Sequence, residues 1–396
     1  METLKDKVAI VGVGYTPQGR IPGRSAMSFH VEAAKNAIED AGLKIEEVDG
    51  ILTQPMPGDP SNFDGRVQPW NVVQQLGMRA RFCASHSTMG ATAGCMVPHA
   101  AAALLWGLAD YVVCTYGEAP LGGRFGGGRL RSARYATIRN NGAAYGFFGA
   151  TAGYAMAARR GMMEWDTGPE TWSEIAMAQR QWANLNPRAM MYEETMSERD
   201  YYDSRWVVEP FRLFDICQVS DSGRAFVMTT AERARELKHR PVYVMGVGQD
   251  HPATSIVQSN FMTGPIGAKV SGEEALRMAE IDLKDIDACE IYDCFTYTVE
   301  LTLMNYGFFG PGEGKDFFAN GRTAPGGELP VNTSGGLLSE VYQMGFTPLT
   351  EAVVQLQGRA GERQLGPMTN TKEPEIILVS GNGGILQTHS TVILRR

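Results

Sequence analysis

Val8-Ala9-Ile10-Val11-Gly12-Val13-Gly14 returns, 234 residues further on, as Val242-Tyr243-Val244-Met245-Gly246-Val247-Gly248. Each is a short apolar run closing on Gly-x-Gly, the pattern of a buried strand entering a loop. The segments after each run are repeated too. Ala33 to Ala41 and Glu273 to Ile281 both read as amphipathic helices, leading to Ile45-Glu46-Glu47-Val48-Asp49 and Leu283-Lys284-Asp285-Ile286-Asp287. Apolar strands come next, at Gly50 to Leu52 and at Glu290 to Tyr292. A third correspondence pairs the helix Ala100 to Gly107 and strand Tyr111 to Thr115 with Glu351 to Gly358 and Glu375 to Ser380. Two copies of a β-α-β-α-β unit at nearly constant offset predict an α/β fold. Its sheets are expected to be parallel, covered by helices and joined by right-handed crossovers.

The doubling assigns residues 1–116 with 217–240 to an N-terminal half and residues 241–396 to a C-terminal half. Between them, residues 117–216 form an insertion of a length that suits a loop domain covering substrate. Within it Ala119 to Gly149 is rich in Gly and Arg, and Glu170 to Asn184 has helical spacing. Gln218 to Arg233 reads as a strand and helix that complete the first copy.

Composition narrows the function classes. The 396 residues carry 43% hydrophobic and 20% charged side chains, which is ordinary for a globular chain with more than one core. A net charge of −8 argues against general nucleic-acid binding and favours a soluble cytoplasmic protein. The cysteines, Cys83, Cys95, Cys114, Cys217, Cys289 and Cys294, contain no CxxC pair and read as free thiols rather than a zinc site. Strand pattern begins by Val8, which leaves no apolar core for a leader. The most apolar helical run, Ala100 to Leu105, is too short to span a bilayer.

Most candidate chemistries weaken on inspection. Gly122-Gly123-Arg124-Phe125-Gly126-Gly127-Gly128 follows no clear strand and lacks GK[ST] or a spaced acidic partner, so it is a poor phosphate loop. Its neighbours Arg124, Arg129, Arg131, Arg134 and Arg139 suit either a solvated surface or the phosphates of a nucleotide-bearing thioester. His30, His86, His99, His239, His251 and His389 show no metal-ligand spacing, and His389 reads as structural. No GxSxG elbow is present. A cysteine nucleophile belongs at a helix N-terminus, and the first turn of the helix ending at Gly107 offers Ala91 instead. Cys95, one turn inside, and Cys83, in a strand, read as buried inert thiols.

Two tyrosines remain. Tyr292 closes a strand and opens Asp293-Cys294-Phe295-Thr296, where a helix begins. Tyr342 sits in Asn332-Thr333-Ser334-Gly335-Gly336-Leu337-Leu338-Ser339-Glu340-Val341-Tyr342-Gln343-Met344-Gly345, after a Gly-Gly turn and before another helical run. Sites of doubled α/β folds form at strand C-termini where helix N-termini converge. The competing reading is two buried tyrosines with satisfied hydroxyls.

A resemblance separates these readings. Cys217-Gln218-Val219-Ser220-Asp221-Ser222-Gly223, Tyr292-Asp293-Cys294-Phe295 and Asn332 to Gly336 resemble successive landmarks of sterol-carrier-protein-type thiolases. Ala91-Thr92-Ala93-Gly94 falls on that family's Cys-x-x-Gly, so the nucleophile position is Ala91. Tyr292 stands where the histidine of a His-Asp-Cys-Phe stretch would be, and Tyr342 where a Gly-His-Pro histidine would be. Loss of the Cys and both His is similar to the bacterial steroid side-chain-cleaving aldolases. Asn186-Pro187-Arg188-Ala189, Arg205-Trp206-Val207-Val208-Glu209-Pro210 and Gly312-Glu313-Gly314-Lys315-Asp316 also resemble that subgroup.

The resemblance implies a thiolase fold, a five-layer α-β-α-β-α sandwich of two βαβαβ halves. It implies retro-aldol cleavage of a β-hydroxyacyl-CoA bearing a tertiary alcohol, which in the steroid case yields a ring ketone and propionyl-CoA. It further implies a homodimer with a small zinc-ribbon and OB-fold partner that would hold any zinc. Such a reaction needs a base, an acid and donors for the enolate, but no covalent intermediate. Tyr292 and Tyr342 are the expected acid–base pair, with Tyr292 written as the base and the opposite assignment open. Asp293 is expected to cap and orient. The backbone amides of Gly335-Gly336 or Gly383-Gly384 are the oxyanion candidates. The alternatives are a thiolase using Cys95 or Cys83, and a non-catalytic acyl-CoA or lipid-binding subunit. The tyrosine pairing requires two hydroxyls within direct or single-water reach, under about 10 Å.

Overall fold

A computed structural model describes residues 4–56, 65–122, 147, 149–252 and 265–396. The segment Gly123 to Gly128 and Arg124, Arg129, Arg131, Arg134 and Arg139 lie outside the described residues. Just before them, the strand that begins at Tyr111 runs on to Glu118, so a clear strand does precede Gly122.

The first half runs β1 (Val8–Tyr15), α1 (Ala26–Asp40), β2 (Gly50–Thr53), β3 (Phe82–Ser85), α2 (Thr92–Leu105) and β4 (Tyr111–Glu118). Helices α3 (Gly149–Trp165) and α4 (Pro169–Ala183) and a small hairpin of β5 (Trp206–Val208) and β6 (Phe211–Arg212) come next. β7 (Ser222–Thr230) then returns to the sheet. The second half repeats the plan with β8 (Val242–Asp250), α5 (Gly267–Ala279), β9 (Ala288–Glu290), α6 (Thr296–Tyr306), α7 (Gly336–Ser339), α8 (Phe346–Leu356), β10 (Ile376–Gly383) and β11 (Thr388–Arg395).

The strands are ordered β3-β2-β4-β7-β1-β8-β11-β10-β9. The sheets are mixed, not parallel. β7 lies antiparallel between β1 and β4, and β11 antiparallel between β8 and β10. Between these strands, parallel pairing among the described residues is confined to β3-β2-β4 and β9-β10. In each half the added strand comes after its parallel predecessors and runs back between them, a direction that an apolar run buried on both faces does not encode. The halves join where Ala9 pairs with Tyr243 and Ile10 with Val242.

The repeated Gly-x-Gly lies inside the strands rather than at a loop. A Cβ at Gly12 would stand 2.5 Å from the Ala37 carbonyl of α1, and Gly14 meets Ala33 and Ala37 in the same way. Gly246 and Gly248 meet Ala275 and Ser271 of α5. The motif therefore lets each outer helix close onto its strand. Helices α2 and α8 occupy the middle and pack on strands from both halves. Their apolar residues, Val97, Ala100, Leu349 and Val353 among them, belong to one buried cluster that runs through both halves. A second cluster fills the space between α1 and the outer face of the first sheet.

Candidate active site

Four loops meet at one end of the central helices. The first is Thr88 to Ala91, which leads into α2. The second is Tyr292-Asp293 after β9, the third runs from Asn332 to Gly345, and the fourth is Gly381 to Gly384 at the end of β10. Gly90 holds them together, because a Cβ there would strike the Tyr292 ring and the Asn382 carbonyl. Gly345 packs on the Gly90 carbonyl, and Gly383 on Thr88 and Met89. Among the described residues, five of the ten non-glycine positions with positive φ fall in or beside these loops: Met89, Asn332, Met344, Ile385 and Leu386. Left-handed backbone is thus concentrated at this end of the central helices.

The two tyrosine hydroxyls are 3.3 Å apart, Tyr292 donating to Tyr342. Both rings are buried, at 4% and 9% exposure, so little water reaches the pair. The Met344 sulfur accepts from the Tyr342 hydroxyl at 3.0 Å and lies 3.8 Å from that of Tyr292. Burial pushes the Tyr292 phenol well above its ordinary value, and the neighbouring Tyr342 adds to the effect. None of the groups that act most strongly on it is positive.

Asp293 anchors the third loop. Its carboxylate accepts from the amides of Leu337 at 2.8 Å and Leu338 at 3.1 Å, so it caps α7 rather than the helix next to it in sequence. Burial raises its carboxyl to about 7, against the lowering effect of those two amides. Asn332 ties the same loop to the sheet, its Oδ1 accepting from the Ile291 amide at 2.6 Å. The Cys217 to Gly223 landmark closes the far side. Gln218 Nε2 donates to the Leu338 carbonyl at 2.9 Å, Ser220 Oγ to the Tyr342 carbonyl at 3.2 Å, and Gln343 Nε2 to the Gly223 carbonyl at 3.2 Å. Three landmarks distant in sequence thus build one wall.

Ala91 is fully buried at the start of α2, and its carbonyl accepts from Ser390 Oγ at 3.0 Å. Cys95 is buried too, and burial raises its thiol to about 11. Cys83 departs from expectation. It lies exposed on β3 rather than buried, because β3 is the edge strand. His389 is buried between Ser271 and Ser380, at 2.9 and 3.2 Å, and burial lowers it to about 3, which fits a structural residue. The Gly335 amide donates to the Asn332 carbonyl at 2.8 Å and the Gly336 amide to Ser334 Oγ at 3.3 Å. Both of these oxyanion candidates are turned into their own loop. Gly383 is buried against Thr88 and Met89 at the end of β10, and Gly384 after it is half-buried.

Sequence reasoning missed two features. Glu290, at the end of β9, accepts from the amide and hydroxyl of Thr333 at 3.1 and 2.7 Å. Thr333 in turn reaches Glu351, which Arg363 clamps with two bonds of 2.9 Å. Burial and the adjacent Glu351 push the Glu290 carboxyl well above the usual carboxylate range beneath the third loop. The available signal was a lone acidic residue in an apolar strand. The second missed feature is Met344, which nothing in the sequence separates from an ordinary core methionine. Among the described residues no cluster of His, Cys, Asp or Glu could hold a metal ion, and no helix is long and apolar enough to cross a membrane.

Residues 248–396 match the Thiolase C-terminal domain-like family. Over 399 residues the chain is 34% identical to a steroid side-chain-cleaving aldolase of Thermomonospora curvata, covering 97% of each. The chain belongs to the steroid side-chain-cleaving aldolases of the thiolase superfamily. As an aldolase it is a carbon–carbon lyase. It is also 33% identical to the 17-hydroxy-3-oxo-4-pregnene-20-carboxyl-CoA lyase of Mycobacterium tuberculosis, over 96% of this chain and 97% of that one. Among solved structures it superposes on an Ltp2-ChsH2(DUF35) aldolase with a TM-score of 0.87 at 32% identity, over 100% of this chain and 99% of that one. An acetyl-CoA acetyltransferase from Syntrophomonas wolfei shares the fold, with a TM-score of 0.69 at 16% identity, over 100% of both chains.

Proposed function

We propose that this aldolase cleaves the Cα–Cβ bond of a β-hydroxyacyl-CoA whose β-carbon is a tertiary alcohol, with Tyr292 and Tyr342 moving the proton. The observation that carries this reading is the 3.3 Å contact between two buried phenols beside a helix that starts with Ala91 in place of a nucleophile. Tyr292 takes the β-hydroxyl proton as the β-carbon becomes a ketone. The Cα–Cβ electron pair passes to the thioester as an enolate. Tyr292 hands its own proton to Tyr342, and Tyr342 returns one to Cα. Both phenols end neutral, which suits a site where burial disfavours a phenolate.

The enolate oxygen needs donors placed in advance. With the Gly335 and Gly336 amides turned inward, the Gly383-Gly384 turn is the better candidate. Asp293 acts as the anchor of the Tyr342 loop. The relatives' names support a steroid side-chain thioester as substrate, giving a ring ketone and propionyl-CoA. The Ltp2-ChsH2(DUF35) relative supports a working assembly with a DUF35-type partner, and the family resemblance extends this to a homodimer whose zinc-ribbon and OB-fold partner holds any zinc.

The test is ketone release from such a thioester by the full chain, with and without the co-produced partner. Tyr292→Phe and Tyr342→Phe should each abolish release, by about 100-fold or more for a lost proton-transfer group. Cys95→Ala should leave it intact. Release that survives both Phe substitutions, or that vanishes with Cys95, would return the chain to thiolase chemistry. Acyl-CoA binding without turnover in the assembled complex would make it a binding subunit.

A further inference from the structure

Tyr342 needs something to hold its proton away from Tyr292, or the pair has no direction. Two hydroxyls 3.3 Å apart can donate either way, and each direction exposes a different oxygen lone pair to the substrate. Met344 favours one direction, as the nearer acceptor for Tyr342. Its sulfur is 3.0 Å from the Tyr342 oxygen and 3.8 Å from that of Tyr292. A thioether accepts and never donates, and it does not titrate in this range. The Tyr342 proton directed at the sulfur leaves the Tyr342 oxygen free to accept from Tyr292. The Tyr292 lone pairs then face away from the pair.

The backbone at Met344 indicates that this placement is maintained against a cost. Its φ is +53, left-handed for a side chain that gains nothing from that region. It is also 5% exposed, so the sulfur is not a surface accident. Glycine would relieve the strain, yet glycine has no sulfur.

Resting on the tyrosine reading above, we propose that Met344 is a positioning residue whose sulfur fixes the order Tyr292→Tyr342→Met344 in the resting pair. Sulfur suits the task because it is polarisable and only weakly accepting. It orients the proton without binding it tightly, so Tyr342 releases it to Cα at small cost. A carboxylate there would hold the proton and bring a charge into a dry site. The proton that Tyr342 turns from the sulfur and gives to Cα is replaced on Tyr342 by the one from Tyr292, which the β-hydroxyl replaces in turn, and no co-reactant is consumed.

The test compares Met344→Leu, which keeps volume and backbone strain but loses the acceptor, with Met344→Gln, which supplies a carbonyl acceptor. Both are assayed as the full chain co-produced with its partner, beside wild type and the two Tyr→Phe variants, with a thermal melt of each. The expected result is a kcat about 10-fold lower in Met344→Leu at unchanged KM and melting temperature, partly restored in Met344→Gln. Wild-type kcat in Met344→Leu, with both Phe variants inactive, overturns the role of sulfur and leaves the tyrosine reading standing. Active Phe variants refute both. A Met344→Leu variant that loses kcat, KM and melting temperature together, without recovery in Met344→Gln, shows packing alone and also overturns the proposal.

Discussion

Gly90→Ala tests whether the geometry of the tyrosine pair, rather than its mere presence, runs the reaction. The added methyl would lie 2.3 Å from Tyr292 Cζ, where ordinary contact starts at 3.4 Å. The ring must therefore shift by about 1.1 Å, since a close-packed interior offers no slack. With the hydroxyls 3.3 Å apart, neither direction is harmless. Retreat from Tyr342 breaks the hydrogen bond, and approach drives two oxygens into collision. A misplacement of about 1 Å in a reacting group costs on the order of 100-fold in rate. The same methyl also strikes the Asn382 carbonyl, so overpacking should lower stability by about 1–3 kcal/mol. Steady-state kcat on the tertiary-alcohol thioester and a urea unfolding curve separate the two effects. A folded Gly90→Ala enzyme with kcat within about 3-fold of wild type would refute the reasoning, because the pair would then tolerate a shift that proton transfer should not.

Asp293→Asn should change how stability responds to pH. Burial raises the folded carboxyl to about 7 from an ordinary 3.8, so the folded chain keeps a proton that the unfolded chain has already released. This contribution is full below about 4 and is lost as pH rises through about 7, at up to about 1.4 kcal/mol per unit. Urea curves of wild type and Asp293→Asn should therefore diverge across that window, and parallel curves would contradict the shift. Arg363→Met should cost about 3–5 kcal/mol by leaving Glu351 charged and unpaired beside Glu290, and Glu351→Gln added to it should recover most of the loss in the denaturation midpoint. Iodoacetamide at pH 8 should leave Cys95 unlabelled in the native chain, since its buried thiol titrates at about 11, and mass mapping showing rapid labelling would contradict this.

The doubling was legible because packing imposes the same demand twice. An outer helix closes on the first strand of each half, and each strand answers with glycines at the same two places, Gly12 with Gly14 and Gly246 with Gly248. The pattern was visible although its cause was misread, since a glycine that admits a helix looks like a glycine that makes a turn. Strand direction was not legible. β7 and β11 are buried on both faces, and their apolar runs fit a parallel neighbour as well as an antiparallel one. The exposure of Cys83 depends on β3 being an edge, which comes from strand order rather than from its own residues. At the site, the tyrosines came from landmarks that resemble a family. The inward turn of the Gly335 and Gly336 amides, the contact of Glu290 with Thr333 and the sulfur of Met344 depend on loop conformation, which local composition does not determine.

Burial of the pair also decides between a standing base and a relay. A tyrosine ordinarily titrates near 10, so at pH 7 about one in a thousand is a phenolate, which adds roughly 4 kcal/mol to any barrier that needs it. Tyr292 is worse placed, because desolvation pushes it higher still and its hydroxyl meets another phenol. A site relying on that phenolate would gain about tenfold in kcat/KM with each pH unit up to 10. A relay through two neutral phenols starts from its populated form at every pH below that, so its rate should be flat between about 6 and 9. Asp293, beside the pair, titrates within this range at about 7, and an inflection that it causes should disappear in Asp293→Asn. A log kcat/KM that climbs with unit slope in the Asp293→Asn enzyme would show that Tyr292 works as a phenolate, and that something outside this chain, such as the partner or the substrate, supplies the charge that lowers it.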